Sequence, residues 1–219
     1  MSEQKIYHEQ SEIPKLPEIF LDIFEMTDDE KKELKERIAQ WEGTLRVFVH
    51  PFFIKHGYAE QTHHHFPGQE RTGTMVKRIV AKEADQTPPV LILQEAKTIK
   101  RLAEELEEAS QVILIARTVD NDPDLEYGRD FEDLKKLFVE LGVKRLLVGG
   151  QFLYIDEQEV EEGSDAIEIP ENYGYENMEP WLGGCTGKAI KNLKDPQYKI
   201  YISYSSYPDN LKKLRSVFT

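Results

Sequence analysis

The chain has 219 residues, 39% of them hydrophobic and 10% aromatic, enough for one sizeable buried core and too many for wholesale disorder. Its 41 acidic against 28 basic residues give a formal charge of −13, which repels phosphate backbones and anionic lipid and excludes nucleic acid and membrane as expected primary partners. The single cysteine, Cys185, rules out an intramolecular disulfide. The first fifteen residues, MSEQKIYHEQSEIPK, lack the apolar stretch of a secretory signal, so the expected compartment is the cytoplasm.

Residues 1–43 read as an N-terminal arm and helix that pack on the body. Pro14 and Pro17 interrupt any early helix, and Ile19, Phe20, Leu21, Ile23 and Phe24 form an apolar cluster able to dock. Thr27-Asp28-Asp29-Glu30 matches a capping box, in which a hydroxyl and a carboxylate satisfy the free N–H groups of a helix start. Leu34, Ile38 and Trp41 share one face of the helix that follows, and Gly43 is placed to end it.

From residue 44 onward the pattern is that of an α/β domain. Residues 45–49 read as a strand ending at His50-Pro51, followed by a polar loop with His56, His63, His64 and His65 and a helix from about 71 to 84. Residues 90–93 and 112–116 are apolar on both faces, and the spacing of Ile99, Leu102 and Leu106 predicts a helix over 97–109. A helix over 130–141 precedes Gly142, and 145–148 is a strand running into Gly149-Gly150. An acidic insertion at about 156–182 holds ten carboxylates and no Lys or Arg. A helix from Cys185 to about Leu193, a strand over 198–202 and a helix over 209–217 complete the chain.

Strands that alternate with helices and are apolar on both faces predict a parallel sheet covered on both sides. The expectation is a three-layer Rossmann-like domain of about five mainly parallel strands, with the N-terminal helical arm added.

Ligands of such sheets bind beyond the carboxyl ends of the strands, near the point where strand order reverses. The turn Gly183-Gly184-Cys185-Thr186-Gly187-Lys188 is the first candidate there. Glycines admit a ligand close to the backbone, and the free N–H groups of a helix start favour an anion. It is not a phosphate loop of the Walker type, because Leu182 occupies the first glycine position and Ala189 the hydroxyl position. Gly149, Gly150, Gly184, Thr186, Gly187, Lys188 and Asp120 are the expected ligand contacts. Cys185 is a candidate nucleophile, its thiol favoured as thiolate by the helix start, and His50 is its candidate partner. The alternative is that the glycines make a tight turn and Cys185 packs as a small hydrophobe.

The segments Val143–Gly150, Gly184–Ile190 and the strand near Lys199 resemble the isochorismatase-like cysteine hydrolases, under a third of the chain. That resemblance implies a doubly wound α/β fold and a nucleophilic role for Cys185. The chain departs from the family where His50-Pro51 replaces an aspartate after the first strand. It also lacks a matching lysine and separates the cysteine from its strand by the acidic insertion.

Three functional readings follow. The first is a small-molecule site, for an anionic ligand, near the 183–188 turn, with cysteine hydrolysis as its catalytic form. The second is a non-enzymatic adaptor that engages a protein partner through the acidic insertion. The third is a metal-dependent hydrolase using the loop histidines, with His63 and His65 as ligands. Around Asp120 the series Asp120-Asn121-Asp122-Pro123-Asp124 has the spacing of a calcium loop, but Pro123 and Leu125 break its pattern. The sequence names no cofactor.

Overall fold

Runs of branched aliphatic residues make the central strands because nearly all their side chains are buried, on one face of the sheet or the other. In the computed structural model, β2 (Thr44–Val49), β3 (Val90–Glu95), β4 (Ile113–Thr118) and β5 (Arg145–Gly150) form the middle of one sheet. The structure describes residues 15–52, 68–119, 124–126, 128–150, 166–168 and 184–203. The predicted helix over 209–217 and most of the acidic insertion lie outside the described residues.

With β1 (Phe20–Asp22), β6 (Ala166–Glu168) and β7 (Lys199–Ser203), the sheet order is β1-β4-β3-β2-β5-β7-β6. Every neighbouring pair is parallel except β6 with β7 at one edge. The expected parallel sheet is therefore present, with one further strand at each edge. β1 comes from the segment expected to be an irregular arm: Phe20 pairs with Ile113 and Asp22 with Ile115, and Ile23 N–H donates to the Ile115 carbonyl at 2.9 Å.

The helices are α1 (Asp28–Gln40), α2 (Gly68–Val80), α3 (Ile99–Glu105), α4 (Phe131–Glu140) and α5 (Gly184–Leu193). They divide the core into two apolar layers. On one face Val47, Val49, Leu91, Leu93, Leu114, Ala116, Leu146 and Val148 pack with Leu34 and Ile38 of α1, Leu134 and Phe138 of α4, and Ala189 and Ile190 of α5. On the other face Phe48, Ile92, Ile113 and Ile115 meet Val76 and Ile79 of α2 and Ile99 and Leu102 of α3. Side chains alternate between these layers along each strand, as the period of two requires. The result is a helix–sheet–helix sandwich of the Rossmann-like kind.

Local sequence signals set the helix ends. Thr27 Oγ1 accepts from Glu30 N–H at 3.3 Å while Glu30 Oε2 accepts from Thr27 N–H at 2.7 Å, completing the capping box. Those bonds, the backbone one first, hold the Glu30 carboxyl below its ordinary range. Asp130 caps α4 by accepting from Asp133 N–H at 2.9 Å. Gly142 ends α4 with φ of 76°, a left-handed turn that glycine enters without strain.

Among the described residues no helix is long and apolar enough to cross a membrane.

Candidate functional site

The connections from β2 to β3 to β4 step one way across the sheet, whereas β5 and β7 lie on the other side of β2. Strand order therefore reverses between β2 and β5, the place at which open parallel sheets generally bind their ligands. The register of β2 with its two neighbours aligns Gly150, Val49 and Leu93 in one row across that edge.

Gly150 ends β5 directly beneath the first turn of α5. A Cβ at this position would stand 2.1 Å from Thr186 Oγ1 and 2.6 Å from the Val49 carbonyl oxygen, so only glycine allows α5 and β2 to approach this closely. Thr186 is 1% exposed, and its hydroxyl has no hydrogen-bond partner among the described residues. Cys185, one residue earlier, is half-buried and packs against the apolar layer that contains Ala189 and Ile190. One turn further along, Lys188 Nζ forms an ion pair with Asp124 Oδ2 at 2.9 Å. Asp124 is brought there because residues 124–126 fold back on β4: Val119 N–H donates to the Asp124 carbonyl, and Glu126 N–H to that of Arg117.

His50 follows β2 at the same edge and is 5% exposed. Its φ of 45° is left-handed, a conformation that strains a non-glycine residue. Its N–H donates to the Leu93 carbonyl at 3.0 Å, and its Nε2 lies 2.9 Å from Thr118 Oγ1. The side chain thus reaches past β3 to β4, and the backbone turns sharply at the end of β2.

Two residues that the sequence reading did not nominate stand at the end of β3. Gln94 is 2% exposed, and its Nε2 donates to Thr98 Oγ1 at 2.6 Å. The Thr98 hydroxyl in turn donates to the Glu95 carbonyl at 2.9 Å. Because Thr98 has given its proton away it must accept from Gln94, which fixes the amide's orientation. Gln94 Oε1 then faces away, buried and without a hydrogen-bond partner among the described residues. Glu95, 8% exposed, follows it. The signal available in the sequence was an apolar strand that ends in two polar residues, Gln94-Glu95, at the edge where ligands bind.

Arg117 of β4 is 7% exposed and points to β1. Its Nε lies 3.3 Å from Asp22 Oδ2, an ion pair without hydrogen-bond alignment. Burial raises the Asp22 carboxyl above its ordinary value, opposed by the Phe24 N–H bond and by Arg117.

The structure thus brings Gly149, Gly150, Gly184, Thr186, Gly187, Lys188, Cys185 and His50 to the carboxyl edge of the sheet or to the helix that starts above it. Asp120, His63 and His65 lie outside the described residues. No group of three or more metal-ligating side chains occurs among the described ones.

The fold is that of a doubly wound α/β protein, with its strand order reversing between β2 and β5. Comparison of the chain with protein-family models, with curated proteins and with solved structures returned no match.

Proposed function

We propose that this protein binds a small anionic molecule across the carboxyl ends of β2 and β5, beneath the first turn of α5. The carrying observation is the buried, unpartnered hydroxyl of Thr186, set against Gly150 at the start of a ten-residue helix. A buried hydroxyl without a partner costs about 1–3 kcal/mol, and proteins retain such groups where a ligand completes them. The N–H groups of the first helical turn face the same edge and carry partial positive charge, so an anion is the complementary ligand. The reading is one of binding, since Cys185 packs into the apolar layer as a small hydrophobe does and Lys188 is paired with Asp124.

Titration with inorganic phosphate, followed by amide NMR, tests this reading. Saturable shifts are expected at Gly184 to Gly187, and Thr186→Val should weaken binding by about tenfold, the loss of one hydrogen bond to a charged group. Shifts that do not saturate, or equal affinity in the variant, would sink it.

A further inference from the structure

The two apolar layers do not cover the sheet equally. The layer under α2 and α3 takes its strand residues from β1 to β4: Phe20, Phe48, Val90, Ile92, Ile113 and Ile115. No residue of β5 or β7 belongs to it. On the opposite face Leu146 and Val148 of β5 and Ile200 of β7 pack with Ala189, Ile190 and Leu193 of α5. Alternation along the strands therefore turns Leu147 of β5 and Tyr201 of β7 to the α2–α3 side. These two are register partners and half-buried, and they belong to neither apolar layer.

Topology explains where this gap arises. Right-handed crossovers carry α2 and α3 over one face as the chain moves from β2 to β4, and α5 over the other as it moves from β5 to β7. Among the described helices none falls on the α2–α3 side above β5 and β7.

We infer that this half of the sheet is a docking surface and that its occupant is the chain's own terminal segment, residues 209–218. β7 ends at Ser203 on the carboxyl edge, and residues 204–219 follow it. At helical spacing Leu211, Leu214, Val217 and Phe218 fall in one stripe, with Arg215 at its margin and Lys212, Lys213 and Ser216 on the far side. A ten-residue helix is about 15 Å long and a five-residue strand roughly 16 Å, so the segment matches β7 when laid back along it. Since α5 occupies the other face of these strands, the terminal helix completes the α2–α3 layer over Leu147 and Tyr201. A second copy is a poorer occupant. Arg46 is the register partner of Leu147 and Arg145 that of Lys199, so pairing this face with itself sets basic residues against their own copies.

Amide hydrogen exchange on the full chain tests the docking, because a helix of this length is marginal alone in water and is protected only when packed. Amides of 211–218 should exchange about tenfold or more slower than unprotected ones. Leu147→Asp on the sheet and Leu214→Asp in the stripe should each abolish that protection and leave the amides of α5 unchanged. Leu214→Asp should also move the ring resonances of Tyr201 by NMR and leave those of Tyr198, in the opposite layer, in place. Unprotected amides over 211–218 in the wild type overturn the inference, as does full protection in a folded Leu147→Asp. Protection that rises with protein concentration assigns the face to a second copy and overturns it too. Should Leu147→Asp not fold, an unmoved Tyr201 in Leu214→Asp has the same force.

Discussion

Thr186 and Gly150 are coupled by shape, and the coupling separates a site made for a ligand from a merely tight contact. Thr186→Val keeps the size of the side chain and removes the unpartnered hydroxyl. The ligand-free variant should therefore be more stable than wild type, by about 1 kcal/mol in urea unfolding, while it loses phosphate affinity. A variant less stable than wild type would mean that the hydroxyl is satisfied within the folded chain. Gly150→Ala acts in the opposite direction. Its new methyl would meet Thr186 Oγ1 at 2.1 Å and the backbone oxygen of Val49 at 2.6 Å, and a backbone oxygen in mid-sheet moves only with its strand. The expected loss is about 2–3 kcal/mol, in the range for overpacked cores. Adding Thr186→Ala should recover only part of it, because the Val49 contact remains. The turn at 183–188 and the Gly149-Gly150 pair were legible in the sequence because glycines at a strand end and a helix start mark close approach. Gln94 was not, since its significance lies in how Thr98 orients its amide, a contact set by the 3₁₀ turn Ala96–Thr98. His50 was legible as a strand-end residue, but its left-handed backbone was not, because no glycine announces it.

Elements were readable where each carries its own signal. The capping box before α1, the apolar stripe of α4 with Gly142 behind it and the doubly apolar strands β3 and β4 are local patterns, and all appear where the sequence places them. β1 has no such pattern. Its three residues become a strand only because β4 offers an unpaired edge, so the information lies in β4 and in the docking of Phe20 and Ile23. β6 is likewise a three-residue strand defined by its pairing with β7. For α1 the capping box gives a direct prediction. Thr27→Ala should cost about 1 kcal/mol at neutral pH, read from denaturant midpoints. The Glu30 carboxyl is held below its ordinary value, so the stability it contributes is present in full above the ordinary glutamate value and disappears as pH falls through the lowered one. The gap between wild type and Glu30→Gln should follow that course and narrow on acidification. A gap that stays constant across this range would show that the Glu30 charge is not what completes the cap.

At the scale of the whole molecule, the position of β1 decides where the domain begins. A boundary at residue 43 fits the helix that stops there, but the sheet recruits residues 20–22 as its outermost parallel strand. Phe20 is buried against the α2–α3 layer and Ile23 against the opposite one, so this short stretch seals both sides of the core at one edge. It also supplies Asp22, the carboxylate beside the buried Arg117. Removing it has three consequences of the same sign. The β4 edge loses its cover, two apolar contacts are lost, and a guanidinium 7% exposed loses the carboxylate paired with it. Taking a carboxylate away from beside a buried guanidinium adds to that loss. Deletion of residues 1–23 should therefore lower the unfolding free energy by several kcal/mol, a large share of the ~5–15 kcal/mol that holds a domain folded. The uncovered β4 edge should also promote self-association, visible as concentration-dependent larger species in size-exclusion chromatography. Restoring charge balance with Arg117→Met in the truncated chain should return part of the stability and leave the added self-association in place, because the open strand edge is unchanged. A truncated chain as stable as the full one and no more associated would mean that β1 is an appendage, and that the sheet is complete at β4.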